Sequence, residues 1–243
     1  MSKFDQLPLA VQLNDFATFD NFYLGANDQL VSTLKQDIAH ESIAPETGAS
    51  GQSNSCFYIW GADGSGRSHL LQAACHLAKI HDLSSIYLPL NEVIEYGPES
   101  LDGLEGMDVV CLDNIGCIVG NSDWEQALFH FFNKVRDLKK LLIVAAKLPP
   151  KQLGVTLPDL TSRLGWGQVF QLHLLQDEEK LDALQMRSSR RGIELTREVA
   201  QYILHRGARD MTSLFSVLEQ LDDASLQARR RLTIPFVKDV MAW

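Results

Sequence analysis

From residue 56 to residue 175 the chain alternates short, almost wholly apolar runs with segments of helical period, and this alternation limits the fold more than any other feature. The runs are Cys56-Phe-Tyr-Ile-Trp60, Ser85-Ile-Tyr-Leu-Pro89, Asp108-Val-Val-Cys-Leu-Asp113, Leu141-Leu-Ile-Val-Ala-Ala146 and Gln168 to Leu175. A strand with one face in water alternates apolar and polar residues; these are apolar at nearly every position, so both faces must be covered. Between them, Ser68 to Ile80 carries Leu70, Leu71, Ala74, Leu77 and Ala78 at helical spacing, and Trp124 to Leu138 carries Leu128, Phe131, Phe132 and Val135. Strands alternating with helices predict an α/β domain with a five-stranded parallel sheet flanked by helices. After Leu175 no strand-like run follows. Helical segments near 177–191, 196–206, 211–222 and 235–242 predict a small all-helical domain, with Thr196 an N-cap, Gly207 a stop and Pro235 in a first turn. The expected organisation is a leader at 1–15, an α/β domain at 16–175 and a helical domain at 176–243, with the Gly- and Ser-rich stretch Pro45 to Ser55 as a linker.

The turn between the first strand and its helix reads Gly61-Ala-Asp63-Gly64-Ser65-Gly66-Arg67-Ser68, a match to G-x-x-x-x-G-K-[ST] with arginine in place of lysine. Glycines let the backbone curl so that successive N–H groups face one anion, and the helix beginning near Ser68 adds its positive end. This predicts phosphate binding by Gly61, Asp63, Gly64, Ser65, Gly66, Arg67 and Ser68, with the Ser68 hydroxyl placed for Mg²⁺. Arginine keeps the charge of lysine, but its planar fork sits differently around a phosphate. The strand ending in Asp113 is expected to present a carboxylate to the same metal. The next residue, Asn114, stands where a second acid would polarise an attacking water, and an amide cannot accept that proton. Arg67 and Asn114 together predict nucleotide binding with slow or absent intrinsic hydrolysis.

Charge and cysteine usage remove several other classes. Against 22 Lys and Arg stand 31 Asp and Glu, a net charge of −9, all of it in residues 1–175 because 176–243 carry eleven of each sign. A chain so acidic lacks the basic footprint needed to coat DNA or an anionic membrane. Cys56, Cys75, Cys111 and Cys117 make no C-x-x-C pair, and the seven histidines form no H-E-x-x-H. They read as reduced, mostly buried thiols of a cytoplasmic protein. Residues 1–16 lack a signal-peptide apolar region, and no run approaches the roughly 20 residues a bilayer span needs.

The order of these motifs resembles an AAA+ module, and several stretches resemble the nucleotide-binding domain of the bacterial replication initiator DnaA. Thr18-Phe-Asp-Asn-Phe22 with Gly25 and Asn27 is similar to its opening box, His69-Leu-Leu71 to the helix after its phosphate loop, and Leu160-Thr-Ser-Arg163-Leu164 with Gly165-Trp-Gly167 to its arginine-finger box. Leu157-Pro-Asp-Leu, Gln171-Leu and Leu232-Thr-Ile-Pro-Phe-Val-Lys238 resemble the DnaA-homologous regulatory inactivators of replication. Gln6-Leu7-Pro8-Leu9-Ala10-Val11 resembles the short glutamine-led peptides that dock on the sliding clamp of the replicative polymerase, Gln6 entering a polar pocket and Leu7 and Leu9 an apolar groove. The ending Pro8-Leu9-Ala10-Val11 departs from the commoner aromatic or Leu pair.

The resemblance implies that Arg163 reaches the γ-phosphate of ATP on a neighbouring DnaA, and that Leu24, Asn27, His69 and Met211 lie near a bound nucleotide. The family's lid carries a sensor arginine where this chain has Thr212, with Arg209 three residues earlier, and Ala145-Ala-Lys147 lacks the small polar sensor after the fourth strand. These departures favour a nucleoside diphosphate, ADP above all, with the base left open. Arg190-Arg191 and Arg229-Arg-Arg231 are expected on solvated helix faces. The implied function is negative regulation of initiation, from a clamp-bound position that leaves DNA contact mainly indirect, the chain ending where such a lid ends. A self-acting ATPase and a non-catalytic adaptor for DnaA stay open, as does a homodimer that hides Gln6 or Arg163.

Overall fold

The computed structural model describes residues 13–41 and 56–243; the clamp-like peptide Gln6–Val11 and the stretch 45–55 lie outside the described residues. The chain enters through short 3-10 turns at Phe19–Asn21 and Gly25–Asn27 and then α1 (Asp28–Glu41). β1 (Cys56–Trp60), α2 (Arg67–Ile80), β2 (Ser85–Pro89), the short α3 (Leu90–Val93), β3 (Val109–Asp113), α4 (Ser122–Asp137), β4 (Leu141–Ala146), α5 (Pro158–Leu164) and β5 (Gln168–Gln171) follow. The strands form a parallel sheet in the order β2-β3-β4-β1-β5. Alternate side chains feed two cores. Tyr58, Val110, Leu112, Leu142 and Val144 pack with α4 and α5 on one face, and Phe57, Ile59, Cys111, Ile143 and Ala145 pack with α1 and α2 on the other. Each such large apolar side chain contributes roughly 1.5–3 kcal/mol by leaving water, which explains why β4 is apolar throughout and β3 up to its terminal Asp113.

Helix ends follow local chemistry. Asn121 caps α4 by accepting from the N–H groups of Asp123 and Trp124, acids occupy the first turn, and Lys134 and Arg136 the last. Beyond the sheet, α6 (Asp177–Arg190), α7 (Arg197–Arg206), α8 (Met211–Ala228) and α9 (Ile234–Met241) surround a third core of Leu184, Ile203, Leu214, Leu218 and Val237. Thr196 caps α7, Gly207 ends it, and Pro235 lies in the first turn of α9. No described helix is long and apolar enough to cross a membrane.

Three expectations need correction. β5 stops at Gln171 and does not reach Leu175. Leu172 still donates to Trp60, but the N–H and C=O of His173 are both taken by the Asn27 side chain, at 2.8 and 3.2 Å, which ends the strand. α8 continues six residues beyond 222 and closes at Arg229 in the left-handed region, φ 52°. Arg190 is exposed at the end of α6 as expected, but the other arginines of the two clusters lie beyond the helix ends. Arg191 bonds Glu219 at 2.9 Å, approaches Asp222 at 3.6 Å and stacks on Phe16, while Arg229–Arg231 form the turn after α8, Arg230 lying over Phe236. Among the cysteines, Cys75 and Cys111 are buried, Cys56 is half-buried with its thiol pushed up to about 12 by burial, and Cys117 is exposed.

One ion pair fastens the amino ends of three strands. Asp108 accepts from the N–H and hydroxyl of Ser84 at 2.9 and 2.6 Å and from Lys140 at 2.7 Å, so the approaches to β2, β3 and β4 share one carboxylate. Burial works against ionisation there, but the Lys140 and Ser84 donors outweigh it and hold the carboxyl at about 2. That contribution is complete above the ordinary aspartate range and is lost as pH falls toward 2. Asp108→Asn should therefore lower stability in urea at neutral pH by about 1–3 kcal/mol. The gap from the parent should close between about pH 4 and pH 2.

Candidate functional site

Parallel pairing brings the ends of β1, β3 and β4 to one edge of the sheet, and the glycine-rich loop after β1 sits there. Gly64 and Gly66 adopt φ of 79° and 97°, which L side chains rarely tolerate, and Gly66 precedes α2 with no side-chain cap. The first N–H groups of this 14-residue helix therefore face the loop. A Cβ on Gly66 would meet the Phe22 ring at 2.8 Å, so the opening box packs directly on the loop. The Arg67 guanidinium turns back to the Gly61 carbonyl and to Asp63 at 3.1 Å, and Lys147 from the end of β4 reaches Asp63 at 2.6 Å. Lys147 and Arg67 hold the Asp63 carboxyl below its usual range. The Ser65 hydroxyl is buried without a hydrogen-bond partner, an orphan donor within a loop of backbone donors.

A cavity of about 210 Å³ opens between this loop, the opening box and the helical bundle. Of the residues expected at a nucleotide, Asn27, Gly64, Ser65, Gly66, Arg67, Ser68, His69 and Met211 line it. Leu24, Gly61 and Asp63 do not. Leu24 is exposed at the start of the second 3-10 turn, Gly61 lies so close to the Leu172 carbonyl that a Cβ would come within 2.5 Å, and Asp63 is spent on its two cations. Asn27 is present at the wall, but its carboxamide is committed to His173. His69 donates from Nε2 to the Thr18 carbonyl at 2.8 Å, and burial lowers its pKa, which favours the neutral ring. Tyr23, Ala183, Thr212 and Phe215 complete the wall on the bundle side. Sequence reasoning passed over Tyr23, Ala183 and Phe215 because each fits the apolar pattern of its own segment. Thr212 is at the wall in the sensor position, whereas Arg209 turns toward Asp177 at 3.9 Å.

Asp113 is fully buried at the end of β3. One oxygen accepts from the Tyr87 hydroxyl and the other from the Asn114 N–H, both at 2.8 Å. The Asn114 side chain donates to Asn91 at 3.0 Å. Among the described residues no group of three or more His, Cys, Asp or Glu is arranged to hold a metal.

Arg163 belongs to a different surface. Leu160 and Leu164 anchor α5 in the core and leave Arg163 on its outer side, its guanidinium 5.4 Å from the centre of the exposed Trp166 ring. Arg136 approaches the same ring at 5.4 Å. Among the described residues no carboxylate pairs with Arg163.

A family model described as the bacterial DnaA ATPase domain matches residues 13–171, and one described as "Hda, lid domain" matches 177–241. The chain belongs to the bacterial DnaA ATPase-domain family. Domain III of the Thermotoga maritima replication initiation protein DnaA is 19% identical over 95% of this chain and 98% of its own, with a TM-score of 0.73. AMPPCP-bound DnaA from Aquifex aeolicus is 25% identical over 85% of this chain and 65% of its own, with a TM-score of 0.67. The Thermotoga maritima RuvB Holliday junction branch migration motor shares the fold at 14% identity and a TM-score of 0.64, over 88% of this chain and 68% of its own. The fold is that of an AAA+ module whose helical region matches a lid domain.

In this DnaA-type module the start of α5 is held by a side chain that the sequence does not flag. Glu125 on α4 is buried and accepts from the N–H groups of Gly120, Thr156 and Leu157 and from the Thr156 hydroxyl, at 2.6–3.1 Å. Burial opposes its charge, and these donors outweigh burial and hold the carboxyl below the usual range. Glu125→Ala should cost roughly 3 kcal/mol or more in denaturant unfolding, since three backbone donors lose their acceptor. Amide exchange at Thr156 and Leu157 should accelerate in the variant, whereas unchanged exchange would contradict the anchoring role.

Proposed function

We propose that this chain is a DnaA-related negative regulator of replication initiation that binds ADP, docks on the sliding clamp through Gln6-Leu7-Pro8-Leu9-Ala10-Val11, and lends Arg163 to ATP held by DnaA. The observation that carries the reading is the state of Arg163: outward on α5, steadied against an aromatic ring, and free of a carboxylate among the described residues. A structural arginine would be expected to have a partner at that depth. The matches to a DnaA ATPase domain and to a lid described as that of Hda support the choice of DnaA as the neighbour. They also support nucleotide binding, since the DnaA structures include AMPPCP complexes.

The chain's own residues favour a diphosphate that stays intact. The backbone donors of the glycine loop, the Ser65 hydroxyl, the charge of Arg67 and the amino end of α2 suit two phosphates. Thr212 at the cavity wall brings no charge for a third. The Asn114 carboxamide, bonded to Asn91, offers no base to an attacking water. Hydrolysis is assigned to the partner: water attacks the γ-phosphorus of DnaA-bound ATP, the bond to the β–γ bridging oxygen breaks, and ADP and phosphate leave. Arg163 would stabilise the charge spread over the γ-oxygens and the leaving oxygen, an effect worth about 10³–10⁵ in rate where arginine fingers act. The clamp then serves as the route to DNA, in keeping with the excess of acid in residues 1–175.

Arg163→Ala should leave ADP binding and clamp binding intact while abolishing the stimulation of DnaA hydrolysis. Full stimulation by that variant would make Arg163 structural and the chain an adaptor. Deleting residues 1–12 should remove clamp binding without changing ADP affinity, and undiminished clamp affinity would reject the docking peptide.

A further inference from the structure

The end of β3 carries an arrangement that an AAA+ site relying on Mg²⁺ would not need. β2 and β3 pair with Tyr87 opposite Cys111 and Pro89 opposite Asp113, which brings the Tyr87 ring alongside the strand end. Its hydroxyl donates to Asp113 at 2.8 Å. The other Asp113 oxygen accepts the Asn114 N–H at 2.8 Å, and the residue has no exposed surface. Asp113, expected with Ser68 to flank a metal, is thus engaged by a phenol.

Mg²⁺ requires a near-octahedral shell of oxygen lone pairs at about 2.0–2.1 Å and sheds its waters reluctantly. Here each Asp113 oxygen already faces a donor hydrogen, and the phenol turns its proton toward the carboxylate. Asp113 is fully buried, and an ion could use it only by displacing the phenol proton, so the strand end as arranged does not fit the ion. The positive charge a polyphosphate needs is available elsewhere on the loop. The Arg67 guanidinium, which turns to the Gly61 carbonyl and Asp63 here, carries that charge, and the uncapped start of α2 adds its N–H groups. Lysine in the usual sequence pattern is a compact point charge, whereas the arginine fork can spread over more than one phosphate oxygen.

We infer that this chain binds the phosphates of its nucleotide without a divalent cation, the Tyr87 hydroxyl taking up the Asp113 carboxylate that the ion would need. This rests on the nucleotide reading above. It separates the chain from a partner whose hydrolysis depends on metal, because the regulator would hold its nucleotide whatever the supply of free Mg²⁺.

Calorimetric titration of ADP into the full chain, freed of nucleotide, in Mg²⁺ and in EDTA tests this. The affinity in Mg²⁺ should be no more than about fivefold above that in EDTA, less than about 1 kcal/mol. A larger gain with Mg²⁺ would overturn the inference while leaving nucleotide binding in place; no binding in either condition would overturn the nucleotide reading and this inference with it. Tyr87→Phe, which frees one Asp113 oxygen, should bind ADP in EDTA and acquire a gain of more than about fivefold from Mg²⁺. A variant that binds in EDTA and gains nothing from Mg²⁺ would remove Tyr87 as the cause.

Discussion

Parallel pairing is the constraint on which the rest of this molecule depends. Because β1, β3 and β4 run the same way, their carboxyl ends lie on one edge of the sheet, and the glycine loop, Asp113 and Lys147 meet there from positions up to 86 residues apart. Pairing of this kind demands that both faces of the inner strands be covered, and the cores on the two faces meet that demand. The functional edge can then carry a loop of left-handed glycines and a buried carboxylate, since the apolar layers beneath supply the stability that burying the carboxylate consumes.

The two candidate sites are mechanically distinct although one sheet supports both. The nucleotide cavity is closed by three contributions: the opening box through Phe22 and Asn27, the loop, and the bundle through Met211, Thr212 and Phe215. Asn27 ties the entry segment to the chain just before α6, so the lid hinge and the cavity wall share one carboxamide. The Arg163 surface instead hangs from α4 through Glu125 and from the core through Leu160 and Leu164. A cavity suited to a nucleotide at one place and an arginine without a described carboxylate partner at another suit the proposed regulator of a neighbour's ATP.

What could be read from the sequence was what local pattern determines. The strands from Cys56 to Ala146 were legible because burial on both faces leaves an apolar run, and the caps at Thr196 and Gly207 because capping is chemistry within one turn. What escaped depends on partners far along the chain. The end of β5 is decided by Asn27, 146 residues away, and the fate of Arg191 by Glu219 and Asp222. Glu125 looks like an ordinary helix-surface acid until its donors are met at 156 and 157. Tyr87 looks like one more apolar strand position, and only its 2.8 Å contact with Asp113 reveals a polar role. Within the loop the motif located the cavity, and the structure adds that Gly61 faces the Leu172 carbonyl and Asp63 pairs with Arg67 and Lys147, which spacing alone does not say.

The central claim is that the phosphoryl chemistry happens in DnaA and not in this chain. Its most direct test follows the fate of labelled ATP preloaded on DnaA when this chain is added with DNA-loaded clamp, under single-turnover conditions. The account predicts that the label on DnaA becomes ADP at least about tenfold faster than without the chain, while the chain alone releases no phosphate. Label that stays as ATP on DnaA, with phosphate released by the chain from its own nucleotide, would contradict it.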